Sequence, residues 1–213
     1  MNFDEFLKLT SKVKNIKLPA ESSHFKMVPP FRRDLMEKQK EAIKKAKRAG
    51  VLALFYPDTS KQTKLVLILR KTYHGVHSAQ VAFPGGKLEK QDISLEAAAL
   101  RETFEEVGVL IKTIEVIRKL SQVYIPPSNF YVQPFLGITK HVPIFNKQED
   151  EVESIIEVDL QHLLDDSILV TRKVSTSYSE EVEVPAFQLN GHVVWGATAM
   201  MISEIKDLLK PHI

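Results

Sequence analysis

Apolar residues recur at Phe3, Phe6, Leu7 and Leu9, the spacing of one helix face, so a short N-terminal helix is predicted. Residues 17–33, with Pro19, Pro29 and Pro30, read as irregular chain that forms an arm. Residues 35–49 have helix-forming composition and end at Gly50, a usual residue just past a helix. Two runs apolar at nearly every position follow, Val51-Leu52-Ala53-Leu54-Phe55-Tyr56 and Leu65-Val66-Leu67-Ile68-Leu69. Pro57-Asp58-Thr59-Ser60 supplies the turn between them. Strands without a polar face belong inside a sheet. A helix is predicted over 94–107, stopped by Gly108, then strands near 114–117, 131–139, 151–158, 168–171 and 181–189, and a closing helix near 197–209. Strands on both sides of one central helix, with another helix at the end, make a mixed α/β domain in which helices cover a sheet.

Composition narrows the chemistry. At 213 residues, with 44% hydrophobic and 26% charged positions, the chain can bury one substantial core. No run approaches the roughly 18 apolar residues of a membrane span, and Asp4 and Glu5 stand where a signal peptide would be basic. A cytoplasmic location and no membrane partner are expected. The absence of cysteine excludes thiol nucleophiles, Cys-ligated zinc and iron–sulfur clusters, so a metal here must be held by oxygen or histidine. Residues 1–50 carry 13 Lys/Arg against 6 Asp/Glu, and the remainder 16 against 21. A basic arm on an acidic body suits an anionic ligand, although Lys44-Lys45-Ala46-Lys47-Arg48 equally suits the solvated face of a helix. No helix-turn-helix or aromatic RNA-binding pattern is present, so no nucleic-acid partner is expected.

The informative stretch is Leu100-Arg101-Glu102-Thr103-Phe104-Glu105-Glu106-Val107-Gly108. Positions 102, 105 and 106 are i, i+3 and i+4, so three carboxylates share one helix face, where like charges repel. Glu105 and Glu106 also fall in the last turn, where the helix dipole disfavours anions. Arg101 can neutralise part of the cluster and hold a carboxylate through its planar fork. Such acids suit a hard cation that bridges protein oxygens to substrate phosphates. Taken alone, three Glu in five residues fit an exposed acidic patch equally well. The upstream Pro84-Gly85-Gly86 turn favours the cation, because its carbonyls can add neutral ligands; an ordinary strand-ending turn is the alternative.

Gly86, then five residues, Asp92, then eight residues, Arg101-Glu102, Glu105-Glu106, Gly108 and Val109 resembles the signature of the Nudix hydrolases. Three departures stand out: Asp92 replaces Glu, one residue is inserted before Arg101, and Thr103 replaces an aliphatic residue. The flanks are similar to the coenzyme A pyrophosphatase branch. Leu67, Arg70 and Phe83-Pro84-Gly85-Gly86 match its upstream frame, as do His77, Gln80, Asp150-Glu151-Val152 and Trp195-Gly196-Ala197-Thr198-Ala199. Val66, Ile68, Lys71, Gly75 and Ala79 depart from it.

The resemblance implies an α/β/α sandwich with a mixed sheet over residues 51–213, preceded by a helical and irregular extension over 1–50. It implies Mg²⁺ or Mn²⁺ held by Glu102, Glu105, Glu106 and the Gly85 carbonyl, with Arg101 orienting the acids. Glu151 is the candidate for a further carboxylate, as metal ligand or as base for the attacking water, with a plain exposed acid as the alternative. The catalytic set is then Glu105, Arg101 and Glu151, and Arg70, His77 and Gln80 are the substrate-binding candidates. The implied substrate is coenzyme A or a derivative, cleaved to 3′,5′-ADP and 4′-phosphopantetheine. The 3′-phosphate would meet Arg32, Arg33 or nearby lysines. ADP-ribose or a dinucleoside polyphosphate on the same site is the first alternative, and a non-catalytic nucleotide sensor the second. His74 and His77 lack a third histidine at ligand spacing, so zinc is not expected. Trp195 reads as a core residue. Tyr124, Phe130 and Tyr131 read as strand packing, with an adenine-flanking role as the alternative.

Overall fold

The computed structural model describes residues 1–28, 43–71, 80–174 and 182–213. Its centre is a mixed sheet. Strand β1 (Lys47–Pro57) is hydrogen-bonded on one side to β2 (Thr63–Arg70) and, nearer its start, to β4 (Gly85–Lys87). On the other side it runs parallel to β7 (Phe130–Thr139), from Lys47 beside Phe130 to Phe55 beside Ile138. β2 also carries β3 (Val81–Ala82) and β8 (Val152–Asp159), and β7 carries β5 (Ile114–Lys119) and β6 (Val123–Ile125), all antiparallel. The two wholly apolar runs are therefore interior strands, buried on both faces as their composition requires. Between them Asp58 Oδ1 accepts the Ser60 and Gln62 N–H groups, both at 2.8 Å, which closes the turn.

Each face of the sheet has its own helix layer. Leu52, Leu54 and Tyr56 of β1, with Val66 and Ile68 of β2, pack under Ala99 and Val107 of α3 (Leu95–Val107). Ala53, Phe55, Leu65 and Leu67 face the other way. They meet α1 (Phe3–Val13) through Phe6, whose ring centroid is 4.8 Å from that of Phe55, and α5 (Gly196–Leu209) through Ile202 and Ile205. The result is the α/β/α sandwich. A second sheet of β9 (Leu169–Val174), β10 (Val182–Leu189) and β11 (His192–Trp195) adds Phe187, Leu189 and Val194 to that core, after α4 (Leu160–Leu164). Among the described residues no helix is long and apolar enough to cross a membrane.

Three local expectations are corrected. Residues 47–50, expected to end a helix, are strand, and Gly50 lies within β1. A Cβ there would stand 2.0 Å from the Leu95 carbonyl oxygen, so the glycine admits the start of α3 against the sheet. Gly85 and Gly86, expected as a turn, form β4 opposite Val51 and Gly50. Part of the segment expected as an irregular arm is ordered as α2 (Glu21–His24) and a following turn of 3₁₀ helix. Ser23 and His24 are buried there, and His24 Nε2 lies 3.2 Å from Glu204 Oε2 of α5. Trp195 is only half-buried, at the end of β11. Tyr124 and Tyr131 pack between paired strands, with ring centroids 6.3 Å apart.

Candidate active site

Helix α3 builds one wall of the site, and its ends are set by local chemistry. Ser94 Oγ accepts the Ala97 N–H at 3.0 Å as N-cap, and Gly108, at φ +80°, closes the helix by donating to Phe104 O. Asn146 N and Gln148 N donate to Val107 O and Glu106 O, both at 3.0 Å, so two more last-turn carbonyls are satisfied. Thr103, the departure from an aliphatic position, is fully buried. Its hydroxyl donates to Ala99 O at 2.6 Å, so the helix itself absorbs the extra polar group.

The second wall is β4. Leu52 N donates to Pro84 O and Leu88 N to Arg48 O, so in the alternation of an antiparallel ladder Gly85 turns both its N–H and its C=O away from β1. The N–H is found on Glu106 Oε2 at 2.8 Å, and the carbonyl lies on the same edge. The φ of Gly85 is +147°, and a Cβ would stand 2.4 Å from Gly50 O, so only glycine fits. At Gly86 a Cβ would stand 2.3 Å from Glu102 Cδ, so the missing side chain is the space the Glu102 carboxylate occupies.

The carboxylates are held by two arginines. Arg101 donates from Nε and Nη2 to the two Asp92 oxygens (3.0 and 2.9 Å), from Nη1 to Glu102 and Glu105 (2.9 Å each) and from Nη2 to Lys87 O (3.2 Å). Glu106 is 2% exposed and takes Arg70 Nη1 on Oε1 at 3.1 Å. Burial pushes the Glu106 carboxyl up to about 7 against the opposing pull of the Gly85 N–H and Arg70, and the Glu102 and Glu151 charges add to the rise. Burial also raises Glu102, with Arg101 opposing and Glu105 and Glu151 reinforcing. Asp92 is lowered, chiefly by its bonds to Arg101, and Arg101 is raised by them.

Glu151, whose charge reaches both Glu102 and Glu106, is placed by the turn before β8. Its N–H donates to Gln148 Oε1 at 2.7 Å, and its carbonyl accepts Lys71 N at 2.8 Å. Because Gln148 N bonds Glu106 O, that turn is tied to the end of α3. Gln80 abuts Arg70 through the backbone, Arg70 N donating to Gln80 O at 3.1 Å. His77, His74, Arg32 and Arg33 lie outside the described residues. Arg70, expected at the substrate, is here turned to Glu106. Two positioning residues went unrecognised in the sequence: Asp92 as the partner of the Arg101 fork, and Gln148. A conservative acid nine residues before Arg101 was the available sign of the first, and nothing local signals the second.

All these donors are oxygens, on one helix face and one strand edge, which suits a hard divalent cation. Among the described residues no three carboxylate or imidazole groups already converge on one point, and the arginine bonds hold the acids in their present places. A cation would take over charge that Arg101 and Arg70 now balance. Gly86→Ala tests the space beneath Glu102. The three atoms nearest its Cβ all belong to the end of the flexible Glu102 side chain, so the melting temperature should stay near wild type. The displaced carboxylate should cost activity on the order of 100-fold.

The NUDIX domain family model matches residues 46–177. The uncharacterized Nudix hydrolase NudL of Enterobacter sp. (strain 638) is 33% identical over 150 residues, which is 68% of this chain and 74% of that protein. Among solved structures, the M. smegmatis Nudix hydrolase RenU aligns with a TM-score of 0.54 at 12% identity, covering 79% of this chain and 88% of that one. A MutT/nudix family protein from Enterococcus faecalis aligns at 0.50 and 18%, covering 92% and 76%. At such identities the two structures speak for the fold alone. With the family model matched over more than half of its length and its acids and glycines at the meeting of α3 and β4, the chain belongs to the Nudix hydrolases.

Proposed function

We propose that this protein is a divalent-cation-dependent pyrophosphohydrolase that cleaves coenzyme A or a close derivative to 3′,5′-ADP and 4′-phosphopantetheine. The observation that supports it most is the junction of Gly85 with Glu106: a buried acid with a raised pKa, Glu102 and Glu105 beside it, and a strand carbonyl on the same edge. The residues that would hold Mg²⁺ or Mn²⁺ are Glu102, Glu105, Glu106 and the Gly85 carbonyl. A bound cation of this kind neutralises diphosphate charge and makes an attacking water more acidic. Glu151 takes the proton of that water, whose oxygen forms the new P–O bond as the bridging P–O bond breaks. Arg101, fixed by Asp92, keeps Glu102 and Glu105 from drifting apart. Arg70, bonded to Glu106 in this structure, is the candidate to meet a substrate phosphate. The retained frame of Arg70, Gln80, Phe83-Pro84-Gly85-Gly86 and Asp92 supports coenzyme A.

A substrate panel with Mg²⁺ and Mn²⁺, products identified by mass, tests this reading. Coenzyme A should be cleaved with higher kcat/KM than ADP-ribose, diadenosine polyphosphates or 8-oxo-dGTP; a clear preference for ADP-ribose rejects the coenzyme A assignment. Without substrate, millimolar Mg²⁺ or Mn²⁺ should raise the melting temperature, because a ligand at 100 times its Kd stabilises by about 2.7 kcal/mol. The shift should shrink in Glu105→Gln. A melting temperature indifferent to metal in the wild type counts against a site formed before substrate arrives.

A further inference from the structure

The sheet face opposite α3 carries a row of residues that the hydrolytic site does not use. Val51, Ala53 and Phe55 point to that face, and by alternation Lys47 and Ala49 share it. Across the parallel ladder Lys47 stands beside Phe130, and its Nζ is 5.8 Å from the ring centroid. Across the antiparallel ladder Ala49 is opposite Lys87 and Val51 opposite Gly85. One face therefore presents Gly85, Lys87, Lys47 and Phe130 in a diagonal, whose Gly85 end reaches the carboxylates on the α3 side only through its backbone N–H, bonded to Glu106 at the strand edge. Ile125 of β6 lies opposite Phe130 and extends the apolar wall. Both lysines are exposed and Phe130 is half-exposed. The near end is fixed to the site, since the Lys87 carbonyl accepts Arg101 Nη2 at 3.2 Å.

From strand spacings the backbone at Gly85 and at Phe130 is roughly 16 Å apart, four residues along and two strands across. A bare diphosphate does not span that distance. A nucleotide carrying a further phosphate on its ribose, met by side chains as long as Lys47 and Lys87, does. Two ammonium groups give point charges for phosphate, and a ring wall beside them gives a surface for a planar base.

We infer that Lys87, Lys47 and Phe130 form the subsite for the nucleotide half of the substrate, the lysines meeting the ribose phosphate and Phe130 the base. This rests on the diphosphate reading of the neighbouring site and assigns to described residues the role that the sequence gave to the basic arm. The test measures KM and kcat for coenzyme A and dephospho-coenzyme A in Lys47→Glu, Lys87→Glu and Phe130→Leu. Metal-free calorimetric titrations with 3′,5′-ADP and 5′-AMP accompany it.

Each lysine reversal should raise KM for coenzyme A about tenfold or more with kcat within about threefold, and should narrow the preference over the dephospho form. Affinity for 3′,5′-ADP should fall in parallel, and Phe130→Leu should weaken both nucleotides alike. The inference is overturned if the doubly reversed variant, melting like wild type, keeps its KM and its 3′,5′-ADP affinity. It is also overturned if the wild type binds neither nucleotide. Should the wild type leave coenzyme A intact yet bind 3′,5′-ADP in a lysine-dependent way, the subsite stands and the coenzyme A assignment falls.

Discussion

Glu105→Gln should lower kcat at least about 100-fold with the fold intact, the scale of loss when one preorganised electrostatic group is removed from a reaction centre. Glu105 is the suitable acid to change, because its side chain is 49% exposed and is held by an Arg101 bond at 2.9 Å. A glutamine oxygen can accept that bond, so Arg101 keeps Asp92 and Glu102 and the helix loses little. What disappears is one negative charge at the centre of the proposed cation site. Steady-state kinetics beside a thermal melt decide it. Turnover within a few-fold of wild type would mean that the acids are a surface patch and the mechanism is wrong.

Gly85→Ala should be the most damaging single change to both stability and turnover. The new Cβ would stand 2.4 Å from Gly50 O, 2.5 Å from Val51 Cα and 2.8 Å from Val51 Cγ1, at a φ of +147° that L side chains rarely adopt. Two of those atoms are backbone of an interior strand and have no rotamer into which to retreat. Strain of about 1–3 kcal/mol and overpacking of similar size together predict a loss of about 2–6 kcal/mol. The N–H on Glu106 moves with β4, leaving a buried acid short of a donor. Urea unfolding should show a lower midpoint, in contrast to Gly86→Ala. Equal stabilities for the two variants would show that β4 yields more easily than its pairing with β1 implies.

Much of this protein was written locally. The apolar runs that became β1 and β2, the capped helix between Ser94 and Gly108, and the single face shared by Glu102, Glu105 and Glu106 follow from neighbours a few residues apart. Short-range periodicity and capping depend on nothing else. The same spacing put Arg101 beside two of the acids it holds. It did not show which acid is buried. Glu105 and Glu106 are adjacent and chemically identical, yet one is half-exposed and the other sealed beneath Gly85 and Arg70.

That difference belongs to contacts 21 and 36 residues distant in the chain, and the raised pKa of Glu106 comes with it. Lys47 to Ala49 read as the end of a helix because their composition is helix-forming, and Gly50 as its stop, but pairing with β7 on one side and β4 on the other made all four strand. Gly85 and Gly86 read as a turn for the same reason, since glycine punctuates a sequence until a partner strand supplies hydrogen bonds. Gln148 was invisible: a polar residue in a polar turn gains its role only when α3 ends beside it. The sequence alone determined which chemistry the chain carries and on which helix face. Tertiary structure decided which acid is desolvated, which arginine balances it and which strand edge it meets, because burial and charge pairing are set by what lies across the sheet and not by what lies next in the chain.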